Sequence, residues 1–319
     1  MDDAPASKGD LAMEVFRLHI RPGGGSDDPA LSFAHCRTQN VLGLGWAVGL
    51  PPETRPTWEE YEALAKVALR DKNGEEADLG RVRFLHTRVH AGDLIWTRDT
   101  RGKYYLAKVE SPWEYHETPA SSAADIVNFV RCRILAVPEP DDVPGKVVAC
   151  FRAQRTIQSI VDPTSVVYSQ LLWNRLSCSR DYVVVQDGAQ SIYSYLDSET
   201  TEDVIFINLQ LQDWIVIPNS RKADTMGFEY VLINRKTRER AVAQVKTGNS
   251  ALNREDWKDF DQRVFLFQAN GLYLGAETPG VTCISPREIE SFMRAERDMM
   301  PRVVCRWLDH IDGGVDDRR

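Results

Sequence analysis

The sequence predicts two architectures in one chain: an α+β, barrel-like N-terminal half and an α/β C-terminal third. Three observations lead there. Short apolar and aromatic strand-like runs dominate the first half, with a helix or two among them. After Thr200 the order becomes helix, three strands, helix, one or two strands, helix. Between these regions, 187–200 (QDGAQSIYSYLDSE) is polar and turn-rich enough to be a boundary. The expected division is a first domain at 13–160, a helical linker at 161–197 and a second domain at 198–319. The 319 residues, 43% of them hydrophobic, suffice for two ordinary cores.

The elements follow from local patterns. From Met13 the sequence turns strand-like, VFRLHIRP, and GGGSDDP reads as a loop. TWEEYEALAKVALR places its apolar residues at helical spacing, and Thr57 followed by Glu60 forms a capping-box pattern. DLIWTR and KYYLAKV flank a turn at Thr100–Gly102 and read as a hairpin. FVRCRILAV (129–137) and KVVACFR (146–152) are further strand candidates, and 163–177 is a helix candidate. In the last third, TTEDVIFINLQLQDW is a helix with Thr201 as its N-cap, and WIVIP is a short strand. GFEYVLINRK and RAVAQVKTG are paired strands around a turn near Thr237. NREDWKDFDQR is a short helix, VFLFQANGLYLG a strand pair around Asn270–Gly271, and VTCIS one more strand. SPREIESFMRAERD closes the chain as a helix with Pro286 near its start.

Bulk properties narrow the function. No apolar run approaches the eighteen residues of a membrane span, and MDDAPASKGD lacks the features of a signal peptide. The expectation is a soluble cytoplasmic protein with no membrane partner. The six cysteines are scattered without a CxxC pair, which argues against a zinc finger and for buried reduced thiols. The six histidines are dispersed as well. A net charge of −8 argues against a tight, non-specific DNA coat, though a local basic face can coexist with an acidic remainder.

The informative stretch is 224–248. Glu229 sits on one strand, and Gln244-Val245-Lys246 sits on the next. Alternation puts Gln244 and Lys246 on one sheet face, so a carboxylate, a carboxamide and an ammonium would gather there. Such a set suits phosphodiester hydrolysis. A carboxylate and a carbonyl oxygen can hold hard Mg²⁺ (or Mn²⁺), and a lysine can orient the nucleophile or offset charge on phosphorus. The bland alternative is a Glu229–Lys246 cross-strand ion pair on a solvated face. Arg235, Lys236, Arg238 and Arg240 cluster at the hairpin turn, where they would meet phosphates or simply be solvated.

The Glu229…Gln244-x-Lys246 spacing in its strand context resembles the PD-(D/E)XK nuclease superfamily, in particular its Mrr-like branch, where Gln replaces the second acidic residue. The resemblance covers roughly residues 198–300. It implies a mixed central sheet flanked by helices, with Glu229, Gln244 and Lys246 catalytic and Glu229 and Gln244 metal ligands. It also implies a further acidic metal ligand on the first core helix, best matched by Glu202, with Glu199 and Asp203 competing. Asp224 is a supporting candidate that would otherwise be a turn residue. The Gln-for-Glu departure reduces the negative charge at the site.

The hairpin AGDLIWTRDTRGKYYLAKV resembles PUA-like barrels, including the EVE type, and that resemblance implies binding of nucleic acid or modified bases. Trp46, Trp96, Tyr104 and Trp113 could supply stacking surfaces, and Arg98 a phosphate contact, with Arg238 doing the same in the last third. Otherwise these aromatics fill a small core, Trp113 being the one most expected at the surface. The leading expectation is a modification-dependent restriction enzyme or other prokaryotic defence nuclease acting on DNA, with a homodimer as one way to cut both strands. The alternatives are a non-catalytic reader with a degenerate nuclease core, and a subunit that docks a protein partner.

Overall fold

The computed structural model describes residues 13–21, 28–70, 74, 77–153, 155–185, 191–217 and 227–313. The chain forms two compact units, Met1–Pro140 with Val147–Val184, and Asp141–Lys146 with Val185–Arg319. It is a mixed α+β protein, and among the described residues no helix is long and apolar enough to cross a membrane.

The first unit contains β1 (Val15–Leu18), α1 (Pro29–Gln39), β2 (Val41–Leu44), α2 (Trp58–Ala68), α3 (Gly80–Arg88), β3 (Leu94–Arg98) and β4 (Tyr104–Val109). These are followed by β5 (Glu114–Tyr115), α4 (Pro119–Ala123), β6 (Asn128–Ala136), α5 (Gly145–Cys150, which starts in the other unit), β7 (Ile157–Ile160) and α6 (Pro163–Ser177). The strands form a seven-stranded sheet ordered β2-β6-β4-β3-β1-β7, with β5 also on β6. β1 lies parallel to β3, and the other pairs are antiparallel.

Local chemistry explains the elements. Thr57 and Glu60 close the expected capping box on α2, and Gly102, at φ 84°, turns the β3–β4 hairpin. α1 starts with Asp28 capping Ala30 N and Pro29 in the first turn, and ends on left-handed Asn40. α6 is capped by Asp162, and Trp96 donates to its Ser169. KVVACFR is not a strand. Within it Val147 and Phe151 are buried, four residues apart, which is helical spacing.

The second unit contains α7 (Ser198–Leu211), β8 (Trp214–Val216), β9 (Tyr230–Asn234), β10 (Arg240–Lys246), β11 (Leu252–Asn253), β12 (Arg263–Gln268), β13 (Tyr273–Leu274), β14 (Val281–Ile284), α8 (Pro286–Ala295) and α9 (Arg302–Ile311). Five strands form a sheet ordered β14-β12-β10-β9-β8. The pairs among β8, β9 and β10 are antiparallel, while β12 joins β10, and β14 joins β12, in parallel. β10 is central and buried along its length except at its ends, as a strand covered on both faces must be.

Several details depart from the sequence pattern. The cap of α7 is Asp197, whose side chain accepts from Thr200 N; Thr201 lies inside the first turn and donates its hydroxyl to Asp197 O. NREDWKDFDQR shortens to one 3-10 turn at Arg254–Trp257. β12 and β13 do not pair with each other, since β13 takes β11 as a parallel partner. α8 does not close the chain, because α9 follows. Buried Arg306 on α9 grips fully buried Asp142 through both carboxylate oxygens, which ties the Asp141–Lys146 segment to this unit.

Candidate functional site

The β9–β10 hairpin builds the site. Tyr230 pairs with Ala243, and one residue earlier Glu229 N still donates to Ala243 O at 2.9 Å. Glu229 is therefore the cross-strand neighbour of Gln244, and Gln244 Nε2 donates to Glu229 Oε1 at 3.1 Å. The same Nε2 donates to Val245 O at 3.2 Å. Gln244 is buried and Glu229 half-buried, while Lys246 is exposed at the strand end. Alternation sets Lys246 on the face of Gln244. The described residues contain no Glu229–Lys246 ion pair, so the bland alternative is not realised.

The Gln244 amide nitrogen lies within hydrogen-bond distance of both a carboxylate oxygen and a backbone carbonyl oxygen. With the amide turned over, Oε1 would take the place of Nε2 beside the Glu229 and Val245 oxygens. This donor chemistry fits a hard divalent cation that keeps several waters. It is not an acidic cluster. Among the described residues no three His, Cys, Asp or Glu side chains gather closely enough to hold a metal.

The remaining candidates lie elsewhere. Glu202, on α7, accepts from the Tyr230 hydroxyl at 3.3 Å. Tyr230 projects opposite to Glu229 and packs its ring against Phe206 of α7, so Glu202 meets the other face of the sheet. Its competitor Glu199 pairs with Lys146 at 3.7 Å. Asp224 lies outside the described residues. Arg238 occupies the hairpin turn at φ 66°, with its N–H on Asn234 O at 2.9 Å. Of its basic neighbours, Arg235 and Lys236 are neutralised by Asp213, whose carboxyl those hydrogen bonds, Lys236 first, hold below the ordinary range.

Sequence reasoning missed Gln268. It is fully buried beside Lys246 in the parallel register, donates to Gly248 O at 2.6 Å, and accepts from Asn270 N and Leu272 N at 2.7 and 3.0 Å. It thereby fixes the backbone just beyond Lys246. A glutamine inside the apolar run VFLFQ was the available signal.

In the first unit most of the proposed stacking aromatics are core residues. Trp96 is fully buried, and Tyr104 is buried edge-on to Phe151. Trp113, expected at the surface, is buried among Trp58, Tyr61 and His86, with its indole N–H on Asn128 Oδ1 at 3.2 Å. The polar run around it misled, because the ring fills an aromatic cluster beneath.

Trp46 differs. It is half-buried and lines a cavity of about 560 Å³ with Gly43, Gly45, Arg81 and Asp125. Trp46 and Asp125 both hold left-handed backbone, at φ 66° and 54°, which is costly for a tryptophan. Gly43 is held by backbone and Gly45 by the Asp125 side chain. A Cβ on Gly43 would lie 2.3 Å from Asn128 O, and one on Gly45 would lie 2.0 Å from Asp125 Oδ1. Buried Asn128 pins the loop through Gly45 O, and Tyr61 donates to Trp46 O at 3.0 Å. The Arg81 guanidinium stands 5.9 Å from the Trp46 ring.

No family model matches this chain, and no curated protein matches it. Among solved structures it shows a distant likeness to the DNA modification-dependent restriction endonuclease AspBHI, at 15% identity over 70% of this chain and 69% of that one, with a TM-score of 0.24. A superposition at that level does not establish a common fold.

Proposed function

We propose that this protein is a divalent-metal-dependent DNA endonuclease of PD-(D/E)XK type, close to the Mrr-like branch, acting as a modification-dependent restriction or related defence nuclease. One observation carries the reading: the Gln244 amide sits against Glu229 Oε1 and Val245 O, with Lys246 two residues on along the same face. The order of α7, then β8, β9 and β10, then β12 supports it, since it follows helix, three strands, helix, strand with the second helix reduced to the 3-10 turn at Arg254–Trp257.

In this reading Glu229, Gln244 and the Val245 carbonyl would hold Mg²⁺ or Mn²⁺, which when bound supplies an acidified water and a polarised phosphoryl oxygen. Exposed Lys246 orients the attacking water or offsets charge that builds on phosphorus. Gln268 keeps the strand end rigid. Glu202 would support the site through Tyr230 rather than share the ion. The first unit selects the substrate, and its Trp46–Asp125 cavity takes a base swung out of the duplex, with the indole to stack on and the carboxylate to accept from ring or amino N–H groups.

The test is incubation of the protein with modified and unmodified DNA, in Mg²⁺, Mn²⁺ or chelator, beside Lys246→Ala. The reading expects ion-dependent cleavage that the substitution removes. Absence of cleavage across a broad DNA and RNA panel would overturn it. The second reading, a modified-DNA binder with a degenerate core, draws on the amide standing where a second carboxylate would. It expects DNA binding indifferent both to chelator and to Lys246→Ala.

A further inference from the structure

One corner of the first unit concentrates positive charge. Arg17, on β1, and His19, just beyond it, are two residues apart and share a sheet face. Trp96 stands beside Arg17 in the parallel register, and Arg98, two residues further along β3, pairs with Tyr104. These side chains surround Phe151. The Arg17 and Arg98 guanidinium carbons lie 5.4 and 5.2 Å from its ring centre, and the His19 and Tyr104 rings meet it edge-on at 5.8 and 5.4 Å. The charges acting on His19 are all arginines: 21, 98 and 17. Those acting on Arg17 are Arg21, Arg98, Arg155 and the Cys150 thiol. Arg21 and Arg155 are exposed, Arg98 and His19 half-buried, and Arg17 fully buried.

The hydrogen bonding here is incomplete. Arg17 spends Nη1 on the carbonyls of Arg155 and Thr156 and Nη2 on Gln158 Oε1. Its buried Nε has no partner, and neither has the buried Nδ1 of His19. Stacking on Phe151 offsets part of the cost of packing cations together, but a ring face does not satisfy an N–H group. Burial first, and then the arginines, hold the His19 imidazole down to about 4. No carboxylate pairs with these arginines among the described residues. A phosphate-type anion, negatively charged and rich in acceptor oxygens, matches these donors.

We propose that this corner binds a phosphate-type oxyanion, gripped by Arg98, Arg155 and His19 within the positive field of buried Arg17. Assigning that anion to the backbone of DNA rests on the functional reading above; the anion site itself does not.

The experiment has two arms on the full chain. In the first, the His19 ring is titrated by NMR in chloride and in inorganic phosphate at matched ionic strength, with no DNA present. A bound anion favours the protonated ring, so phosphate raises the midpoint by about one pH unit or more, and Arg98→Gln removes that rise. In the second, anisotropy of labelled duplex DNA is followed against salt. Loss of Arg98 or Arg155 to Gln weakens modified and unmodified duplexes alike and lowers the salt slope by about 1 each. Both effects together identify a DNA phosphate. A phosphate-raised midpoint with an unchanged slope keeps the oxyanion site and assigns it to a small phosphate ligand. An identical midpoint in the two salts overturns the proposal, whatever the slope does. Since the first arm needs neither DNA nor cleavage, its failure is separable from failure of the nuclease reading.

Discussion

Gln244 holds its amide nitrogen 3.1 Å from Glu229 Oε1 across the β9–β10 hairpin and 3.2 Å from Val245 O on its own strand, so one buried nitrogen serves two acceptors. That makes the amide both a structural bridge and the donor whose replacement is most informative. Gln244→Glu removes the bridge and sets a second carboxylate against the first. Without metal the variant should lose roughly 1–3 kcal/mol, the cost of a broken buried hydrogen bond with an acceptor left facing an acceptor. Mn²⁺ should restore it by more than it stabilises the wild type, since two carboxylates and a carbonyl bind a hard cation better than one. Thermal unfolding in chelator and in Mn²⁺ checks this. Equal stability in both media would remove Gln244 from the ion's surroundings.

Lys246 tests chemistry apart from folding. It is exposed and makes no ion pair among the described residues. Lys246→Ala should therefore shift stability by no more than about 0.5 kcal/mol. Cleavage should fall by roughly 10²–10³-fold or more, as when one preorganised charge stabiliser is removed. A variant that cuts at the wild-type rate would confine Lys246 to the solvated strand end.

How much of this was legible in the sequence depended on whether the deciding interaction was local. The β3–β4 hairpin, the capping box at Thr57 and the β9–β10 pairing follow from turn residues and alternation within about twenty positions, and the Glu229–Gln244 neighbourhood followed with them. α1 and α3 were missed because each buries few apolar anchors: Phe33 and Cys36 in one, Val82 and Leu85 in the other. The surroundings of Trp113 and Glu202 were hidden for another reason. Their partners, the Trp58–His86 cluster and the Tyr230 hydroxyl, come from distant segments, and no periodicity reports them. The cavity at Trp46 was half visible. Its tryptophan drew notice, while the two glycines and Asp125 gained meaning only from close approach.

The cavity gives a third prediction. A methyl at position 45 would fall 2.0 Å from the Asp125 carboxylate, so Gly45→Ala must displace Asp125 from its seat. Where that cavity reads a base, preference for modified over unmodified duplex should shrink by roughly 1–3 kcal/mol, the worth of a good base contact. Competition binding with matched duplexes measures it. Preference retained in Gly45→Ala would move recognition to another surface.

His19 sets an acid limit on stability. Its folded value of about 4 lies below the 6.5 expected when unfolded, so between these pH values the unfolded chain binds the extra proton. Stability therefore falls as pH drops from about 6.5 towards 4 and is unaffected by this group above 7. His19→Gln should flatten that limb in chloride buffer while leaving other acid transitions in place. Among those is the one tied to Asp181, whose carboxyl Lys108 and Trp173 hold down to about 2. Urea midpoints at pH 7 and 4.5 for both proteins decide the matter: parallel losses would show that the ring titrates alike in both states.

The last prediction concerns the buried pair that anchors Asp141–Lys146 to the second unit. Arg306 and Asp142 meet through two parallel hydrogen bonds, with the carboxylate fully buried and the guanidinium nearly so. Removing Asp142 strips these two hydrogen bonds from a nearly buried guanidinium, which costs roughly 3–5 kcal/mol, whereas replacing both partners with apolar residues of similar volume is often close to neutral. Asp142→Ala should thus destabilise the second unit strongly, and Asp142→Leu with Arg306→Met should recover most of the loss. The comparison separates the penalty of a lone charge from the value of the pair. If the double variant is as unstable as the single one, the ion pair contributes net stability of its own. Urea unfolding followed by tryptophan fluorescence suits the measurement, because Trp307 packs in the same helix beside Arg306.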